Sequence, residues 1–260
     1  MASTEQASNA ALITGGSRGI GYELAKLCAQ DGYDLVLVAR QQERLQKVAN
    51  QLESEWEITT LPISKDLSHP ESTQEIFDEV ERKDTQIDLL VNNAAARPTP
   101  DRFDETDLES TSDLLQINVT TLTSLTRLFV APMVERGAGQ ILNVSSVAGE
   151  IPDPTFGVYA ATKGYVSTLS QVLARQLEPV GITVTVLVPG WTETDMAQQV
   201  FQALEIDPDT RETMSPEEVA QAGYNGLQSG QTRVIPGQQY REALQNALST
   251  RASNINPGRQ

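Results

Sequence analysis

The chain has 260 residues, 39% of them hydrophobic, which suffices for one large domain with a substantial core. Lys and Arg number 19 against 35 Asp and Glu, a formal charge of −16. That balance speaks against binding nucleic acid or docking on anionic lipid, since both need clustered positive charge. With one Cys (Cys28) and one His (His69), an internal disulfide is impossible and a four-ligand Cys/His zinc site lacks ligands. Acid–base work must fall mainly to Tyr, Lys, Ser or carboxylates.

Residues 1–9 carry no Lys or Arg ahead of a short apolar run, unlike a secretory leader. Runs such as Leu35–Ala39 and Val184–Val188 fall far below the ~18 residues that span a bilayer. A cytoplasmic protein without membrane partners is expected. Strands are predicted at Ala10–Thr14, Leu35–Ala39, Ile58–Pro62, Ile87–Val91, Gln140–Ser145 and Thr183–Val188. Most are continuously apolar, as parallel strands buried on both faces are. Helical spacing fills Ile20–Asp31, Gln42–Glu55, Ser72–Lys83, Leu108–Glu135 and Val158–Glu178. Repeated strand–helix–strand units give an α/β fold: one doubly wound parallel sheet with helices on both faces, in a single domain over 1–260. The alternation breaks after Gly190. Trp191–Thr213, with Met196, Val200, Phe201 and Leu204, reads as a lid, Ser215 and Glu218 as a capping box, and 250–260 as a flexible tail.

Between the first strand and its helix lies Thr14-Gly15-Gly16-Ser17-Arg18-Gly19-Ile20-Gly21. Glycines there let the backbone turn tightly and approach a pyrophosphate at the positive end of the helix. The second strand ends in Arg40, where a chain preferring NAD would usually place Asp or Glu to hold the ribose 2′-hydroxyl. Arg40 can grip a 2′-phosphate with two hydrogen bonds, and Arg18 is placed to approach it too, so NADP(H) is the expected cofactor. Asp66-Leu67 follows the third strand, either to contact adenine or for Asp66 to cap the next helix. Asn92-Asn93-Ala94 follows the fourth, either to hold the chain open beside the cofactor or as a plain turn.

Tyr159 and Lys163, four residues apart on a helix, project from one face. A free phenol titrates near pH 10. An adjacent ammonium favours the phenolate and should make Tyr159 a usable proton shuttle. Upstream, Ser145-Ser146 ends the fifth strand, as a turn or as a hydroxyl offered to a substrate oxygen.

Taken together and in this order, Thr14–Gly21, Asn92–Ala94, Asn118, Ser146, Tyr159, Lys163 and Pro189-Gly190 resemble the short-chain dehydrogenase/reductase family, from about Ala10 to beyond Ile235. The resemblance implies a Rossmann-like fold and a catalytic set of Asn118, Ser146, Tyr159 and Lys163. Tyr159 would be proton donor in reduction and base in oxidation. Lys163 would lower its proton affinity and bond the nicotinamide ribose, with Tyr159 also counted among the cofactor contacts. Ser146, rather than Ser145, would orient the carbonyl, and Asn118 would hold a water joining Lys163 to solvent. Pro189-Gly190 with Thr192 and Thr194 would lie over the carboxamide. The family usually has Gly where Ala95 stands.

The substrate pocket is expected between Ala95–Arg97, Glu150–Phe156 and Trp191–Leu204, with Trp191, Met196, Val200, Phe201 and Phe156 as an apolar wall. Arg97 reads as a solvated surface charge. The reading is an NADPH-dependent reductase of a small ketone or aldehyde. One alternative is a 3-ketoacyl-carrier-protein reductase. The net charge would repel an acidic carrier, and Val180 stands where that branch tends to carry a basic residue. Another is a non-catalytic NADP(H)-sensing regulator, which should have lost Ser146, Tyr159 or Lys163. Surplus apolar residues on the two long helices, and the family's habit of pairing them, suggest a homodimer or homotetramer.

Overall fold

The computed structural model describes residues 9–98, 102–151 and 153–255. Within them one seven-stranded, wholly parallel sheet runs in the order β3-β2-β1-β4-β5-β6-β7. Its strands are β1 (Ala10–Thr14), β2 (Asp34–Ala39), β3 (Thr60–Ser64), β4 (Ile87–Asn92), β5 (Gly139–Val144), β6 (Ile182–Leu187) and β7 (Arg233–Val234). The helices are α1 (Gly19–Gln30), α2 (Gln42–Glu55), α3 (Ser72–Arg82), α4 (Leu108–Leu115), α5 (Leu122–Arg136), α6 (Gly157–Leu177), α7 (Asp195–Ala203), α8 (Pro216–Gln228) and α9 (Gln238–Ile255). In α2 the buried residues Leu45, Val48, Ala49 and Leu52 follow the helical period, so one stripe faces the sheet.

Alternate residues of each strand feed two separate cores. Ala11 and Ile13 of β1 join Leu24, Leu37, Leu45, Leu89 and Leu227 on one face. Ala10 and Leu12 join Val36, Ile76, Leu90, Phe129 and Val184 on the other. This is the doubly wound layering expected from the sequence. The winding reverses between β1 and β4, and there the strand ends open a crevice.

Besides β7, which has no counterpart among the six strands expected from the sequence, three elements differ from expectation. β3 lies two residues later than Ile58–Pro62, because the Asp34 carboxylate and Leu35 amide hold Thr59 just ahead of it. Pro62 sits inside the strand rather than ending it, which an edge strand tolerates, having no partner on one side. The helix expected over Leu108–Glu135 is interrupted by a π-helical turn at Gln116–Thr121. Finally, α9 runs to Ile255, so the first half of the 250–260 stretch expected as a tail is helical; residues 256–260 lie outside the described residues.

Counted through its π turn, Leu108–Arg136 is long and apolar enough to cross a membrane by length and composition alone. It packs against β4, α3 and α6, and its Asn118, Thr121 and Thr126 are buried. Thr126 belongs to a polar chain inside the second core. Asn92 Nδ2 donates to Thr126 Oγ1 (3.0 Å) and to Asn143 Oδ1 (2.9 Å), and Asn143 Nδ2 donates to Ser170 Oγ (2.9 Å). These bonds tie β4, β5, α5 and α6 together at the strand ends. Asn143→Leu keeps the branched shape but strips Asn92 and Ser170 of a partner in a buried core. Chemical denaturation should show a loss of about 2–3 kcal/mol. A loss under ~0.5 kcal/mol, the scale of a surface change, would show the chain of amides to be dispensable.

Candidate active site

The strand ends, the glycine loop, the start of α6 and the segment after β6 enclose a cleft of about 1280 Å³. Small-ligand sites usually occupy roughly 300–1,000 Å³. The cleft therefore has room for an extended ligand and a second molecule beside it.

At one end the loop Gly15–Ile20 lines the cleft. Gly15 and Gly19 have φ of +69° and +55°, a conformation that favours glycine. α1 begins at Gly19 without a side-chain cap, so its first amides remain for a ligand. Gly21 does not line the cleft. A Cβ there would stand 2.3 Å from the Gly15 carbonyl oxygen, so its role is close packing of helix against loop. Thr14 Oγ1 accepts from the Asn93 and Ala94 amides (both 3.0 Å), and Asn93 Nδ2 donates to the Thr14 carbonyl (2.9 Å). Asn93 and Ala94 thus brace the loop, and both face the cleft. Asn92, expected beside them, points inward to the buried amide chain and does not line it. Residues alternate across a strand, and Asn92 falls on the core side.

Beyond the loop the cleft is cationic. Arg18, Arg40, Arg44 and Lys65 line it with Asp66 and Leu67. Arg44, in the first turn of α2, was not singled out from the sequence. Arg18 Nη1 is 2.6 Å from Asp195 Oδ2 and Arg44 Nη1 3.9 Å from the same oxygen. Asp66 does not cap α3. Its Oδ1 accepts from the Ser68 amide (3.0 Å) in a turn before the helix. Burial would raise its carboxyl, but Ser68 and the nearby Arg40 hold it below the ordinary carboxylate range.

In the middle of the cleft stand Ser146, Tyr159 and Lys163. Lys163 is buried, its Nζ donating to the Val144 carbonyl (2.9 Å) and lying 5.7 Å from the Tyr159 ring centroid. Ser145 turns into the core, donating to the Lys163 carbonyl (2.7 Å) and meeting Ser167 Oγ at 2.8 Å. Ser146 is left to meet Tyr159 by hydrogen bond. A Cβ on Gly149 would sit 2.5 Å from the α6 backbone at Lys163 and Gly164, so the Val147–Gly149 turn presses directly on that helix. Asn118, in the π turn, lies behind the wall. Its Oδ1 accepts from the Ala96 amide (2.8 Å), and its Nδ2 donates to Thr162 Oγ1 (3.0 Å). It ties the chain after β4 to α6 between Tyr159 and Lys163.

Burial pushes the Tyr159 phenol up to about 12, with the Ser146 hydrogen bond pulling the other way. Burial also pushes the Lys163 ammonium down to about 8. The expected acidification of Tyr159 by its neighbour is not what the protein's own groups produce. Desolvation disfavours both charged forms. Tyr159 is consequently a protonated phenol at neutral pH.

The far end is apolar. Phe156, Trp191, Met196, Val200 and Leu204 line it, and Phe156 meets Trp191 edge-on at 6.0 Å. Phe201, expected in this wall, is buried behind Trp191 at 4.6 Å between centroids. Ala95, Ala96 and Arg97 also line it, whereas Glu150 pairs with Arg233 at 2.7 Å outside it. Pro189, Gly190, Thr192 and Thr194 lie along its edge. The predicted capping box is present, Ser215 and Glu218 bonding reciprocally at the start of α8. Tyr240 of α9 covers Gly190. Its hydroxyl accepts from the Trp191 amide (2.9 Å) and donates to the Glu212 carbonyl (2.7 Å). No local sequence signal marked it. Among the described residues no group of three or more His, Cys, Asp or Glu could hold a metal.

A family model described as short chain dehydrogenase matches residues 9–205. The chain belongs to the short-chain dehydrogenase/reductase family. It is 36% identical over 193 residues to a Rattus norvegicus protein named very-long-chain 3-oxoacyl-CoA reductase, which covers 72% of this chain and only 61% of the relative's length. A short-chain dehydrogenase from Sphingobium yanoikuyae, solved in complex with NADPH, superposes with a TM-score of 0.83, 31% identity and 97% coverage of both chains. The bulky-bulky ketone specific alcohol dehydrogenase from Comamonas testosteroni gives 0.81, 30% identity, and 98% and 96% coverage. As a short-chain dehydrogenase/reductase the protein is an oxidoreductase, and its segment after β6 is held at the root by Tyr240. Tyr240→Phe should speed hydrogen exchange at the Trp191 amide by ~10-fold or more and cost about 1 kcal/mol of stability. Unchanged protection at Trp191 would mean that the hydroxyl does not hold the loop.

Proposed function

We propose that the protein is an NADPH-dependent carbonyl reductase that converts a ketone or aldehyde to an alcohol, with Tyr159 as the proton donor. The observation that carries this reading is one cleft with a glycine loop and three arginines at one end, and Ser146, Tyr159 and Lys163 in its middle. The glycine loop and the uncapped start of α1 fit a pyrophosphate. Arg18, Arg40 and Arg44 fit a ribose 2′-phosphate, which an acidic residue at the end of β2 would repel. Thr192 and Thr194 line the same cleft and would hold the carboxamide. When bound, the nicotinamide group supplies a hydride to the carbonyl carbon. Ser146 orients the carbonyl oxygen, and Tyr159, neutral at physiological pH, gives it the phenolic proton. Lys163 stabilises the phenolate left behind, and Asn118 keeps the helix that bears both residues in register.

The aromatic and aliphatic far end supports a substrate with an apolar body, in line with the bulky ketones named for the Comamonas relative. A 3-oxoacyl thioester, as in the name of the rat relative, is one ketone of this class. An acidic carrier protein as its bearer is disfavoured by the charge of −16. A nucleotide sensor without turnover would have no use for the intact Ser146, Tyr159 and Lys163 set. Exposed Phe103 and Leu108 before and on α4, with Tyr165 and Val172 on α6, support a homodimer or homotetramer that covers them.

Two measurements test this. With NADPH and a panel of ketones, Tyr159→Phe should lower turnover about 10²–10⁴-fold while the variant still binds nucleotide. Turnover near the native level would remove Tyr159 as donor. Arg40→Asp should weaken NADPH binding by ~10-fold or more and leave NADH within ~2-fold. Equal weakening of both cofactors would remove the phosphate grip.

A further inference from the structure

The glycine loop and the lid helix are joined by a single carboxylate. Asp195 is the first residue of α7, directly after Thr194, whose Oγ1 caps the helix by accepting from the Ala197 amide (3.2 Å). Its Oδ2 lies 2.6 Å from Arg18 Nη1 and 3.9 Å from Arg44 Nη1. These two arginines belong to the set assigned to the 2′-phosphate. All three side chains are about half exposed, at 51%, 46% and 53% for Arg18, Arg44 and Asp195. Beside the pair, a Cβ on Gly19 would stand 3.2 Å from Thr194 Cγ2, so loop and helix start are already in contact.

We infer that Asp195 competes with the cofactor's 2′-phosphate for Arg18 and Arg44, so that phosphate binding releases the start of the lid helix. This rests on the NADPH reading above and adds to it a determinant of cofactor selectivity on the substrate side of the cleft. A phosphate monoester carries ≈ −1.5 to −2 at neutral pH and three acceptor oxygens, against a single charge on the carboxylate. It can use both guanidiniums as hydrogen-bonding forks, where Asp195 touches one closely and the other only at the limit of an ion pair. Exposed ion pairs are weak and screened, so this one is displaced readily.

Release at Asp195 is confined to α7. The chain before it stays fixed, since Thr192 bridges Met214, and the Glu193 amide donates to the Met214 carbonyl (2.9 Å). α7 carries Met196 and Val200 into the apolar end of the cleft. Occupation of the phosphate site is thereby felt at the substrate wall, as one equilibrium shared by two sites.

The test uses the whole protein with 2′,5′-ADP and 5′-AMP, which differ only in the 2′-phosphate, as probes in titration calorimetry, comparing the native chain with Asp195→Asn. The variant should bind 2′,5′-ADP about two- to five-fold more tightly and 5′-AMP with unchanged affinity. Hydrogen exchange in the first turn of α7 should quicken when 2′,5′-ADP, but not 5′-AMP, saturates the native chain. If the native chain binds the two nucleotides equally, the phosphate reading itself fails and the competition with it. If it prefers 2′,5′-ADP and Asp195→Asn leaves that preference unchanged or weakens it, the competition alone is overturned. Exchange in α7 that ignores the 2′-phosphate overturns the coupling to the lid.

Discussion

An ammonium buried without a carboxylate sets the terms for the rest of this molecule. Lys163 is 3% exposed, and among the described residues no acid pairs with it; the Val144 carbonyl accepts its hydrogen bond. Such a group destabilises the fold unless something else holds its backbone in place. Here that is done by Ser145 on the Lys163 carbonyl, by Gly149 pressed on the same turn of α6, and by Asn118 through Thr162. The strand end, the short turn after it and the π turn in the preceding helix thus converge on Thr162, Lys163 and Gly164 of α6. Burial there keeps the phenol protonated at neutral pH and lowers the ammonium only to about 8, so one group can give a proton while the other still carries the charge that holds the phenolate left behind.

The same cleft reverses the charge of the chain around it. Among the described residues, seven basic side chains line it against six acids, where the whole chain has 19 and 35. Over a Debye length of about 8 Å the remaining acids are largely screened, so an anionic ligand meets the local balance rather than the −16 of the whole. The acids excluded from the cleft lie mainly on solvent-facing helix surfaces, such as Glu43, Glu53 and Glu55 of α2, where they cost little. Two electrostatic demands, a negative exterior and a locally balanced crevice, are met by one parallel sheet because its strand ends gather residues from distant parts of the chain.

That gathering also explains what was legible in the sequence. Strands buried on both faces announce themselves locally, and so do a strand–glycine–helix junction, a capping box and a Tyr and Lys on one helix face. The fold class, the loop at Gly15–Ile20 and the cluster around Tyr159 could therefore be read from short windows. Asn92 could not be separated from Asn93, since which side of the last β4 residue faces the core depends on register with β5. Phe201 was assigned to the pocket wall on composition, and only the turn of α7 places it behind Trp191. Tyr240 and Asp195 act through partners 49 and 177 residues away, contacts that leave no trace in local spacing. The π turn at Asn118 adds a residue to a helix whose apolar pattern reads as continuous, so its irregularity is hidden by the very period that reveals the helix.

The segment after β6 is fastened with bonds of unequal strength, and the gradient has a direction. At its root several bonds act together: the Tyr240 hydroxyl joins Trp191 to Glu212, Thr192 bridges Met214, and the Tyr240 ring lies on Gly190. At the start of α7 only an exposed ion pair reaches the glycine loop. Further along, Val200 and Phe201 of α7 are buried, and Phe201 packs on Trp191, which belongs to the root. A hydride-transfer site needs a wall that can open for substrate and then exclude water. A firm root and a weak catch satisfy that need without a hinge of glycines, because motion follows the weakest attachment.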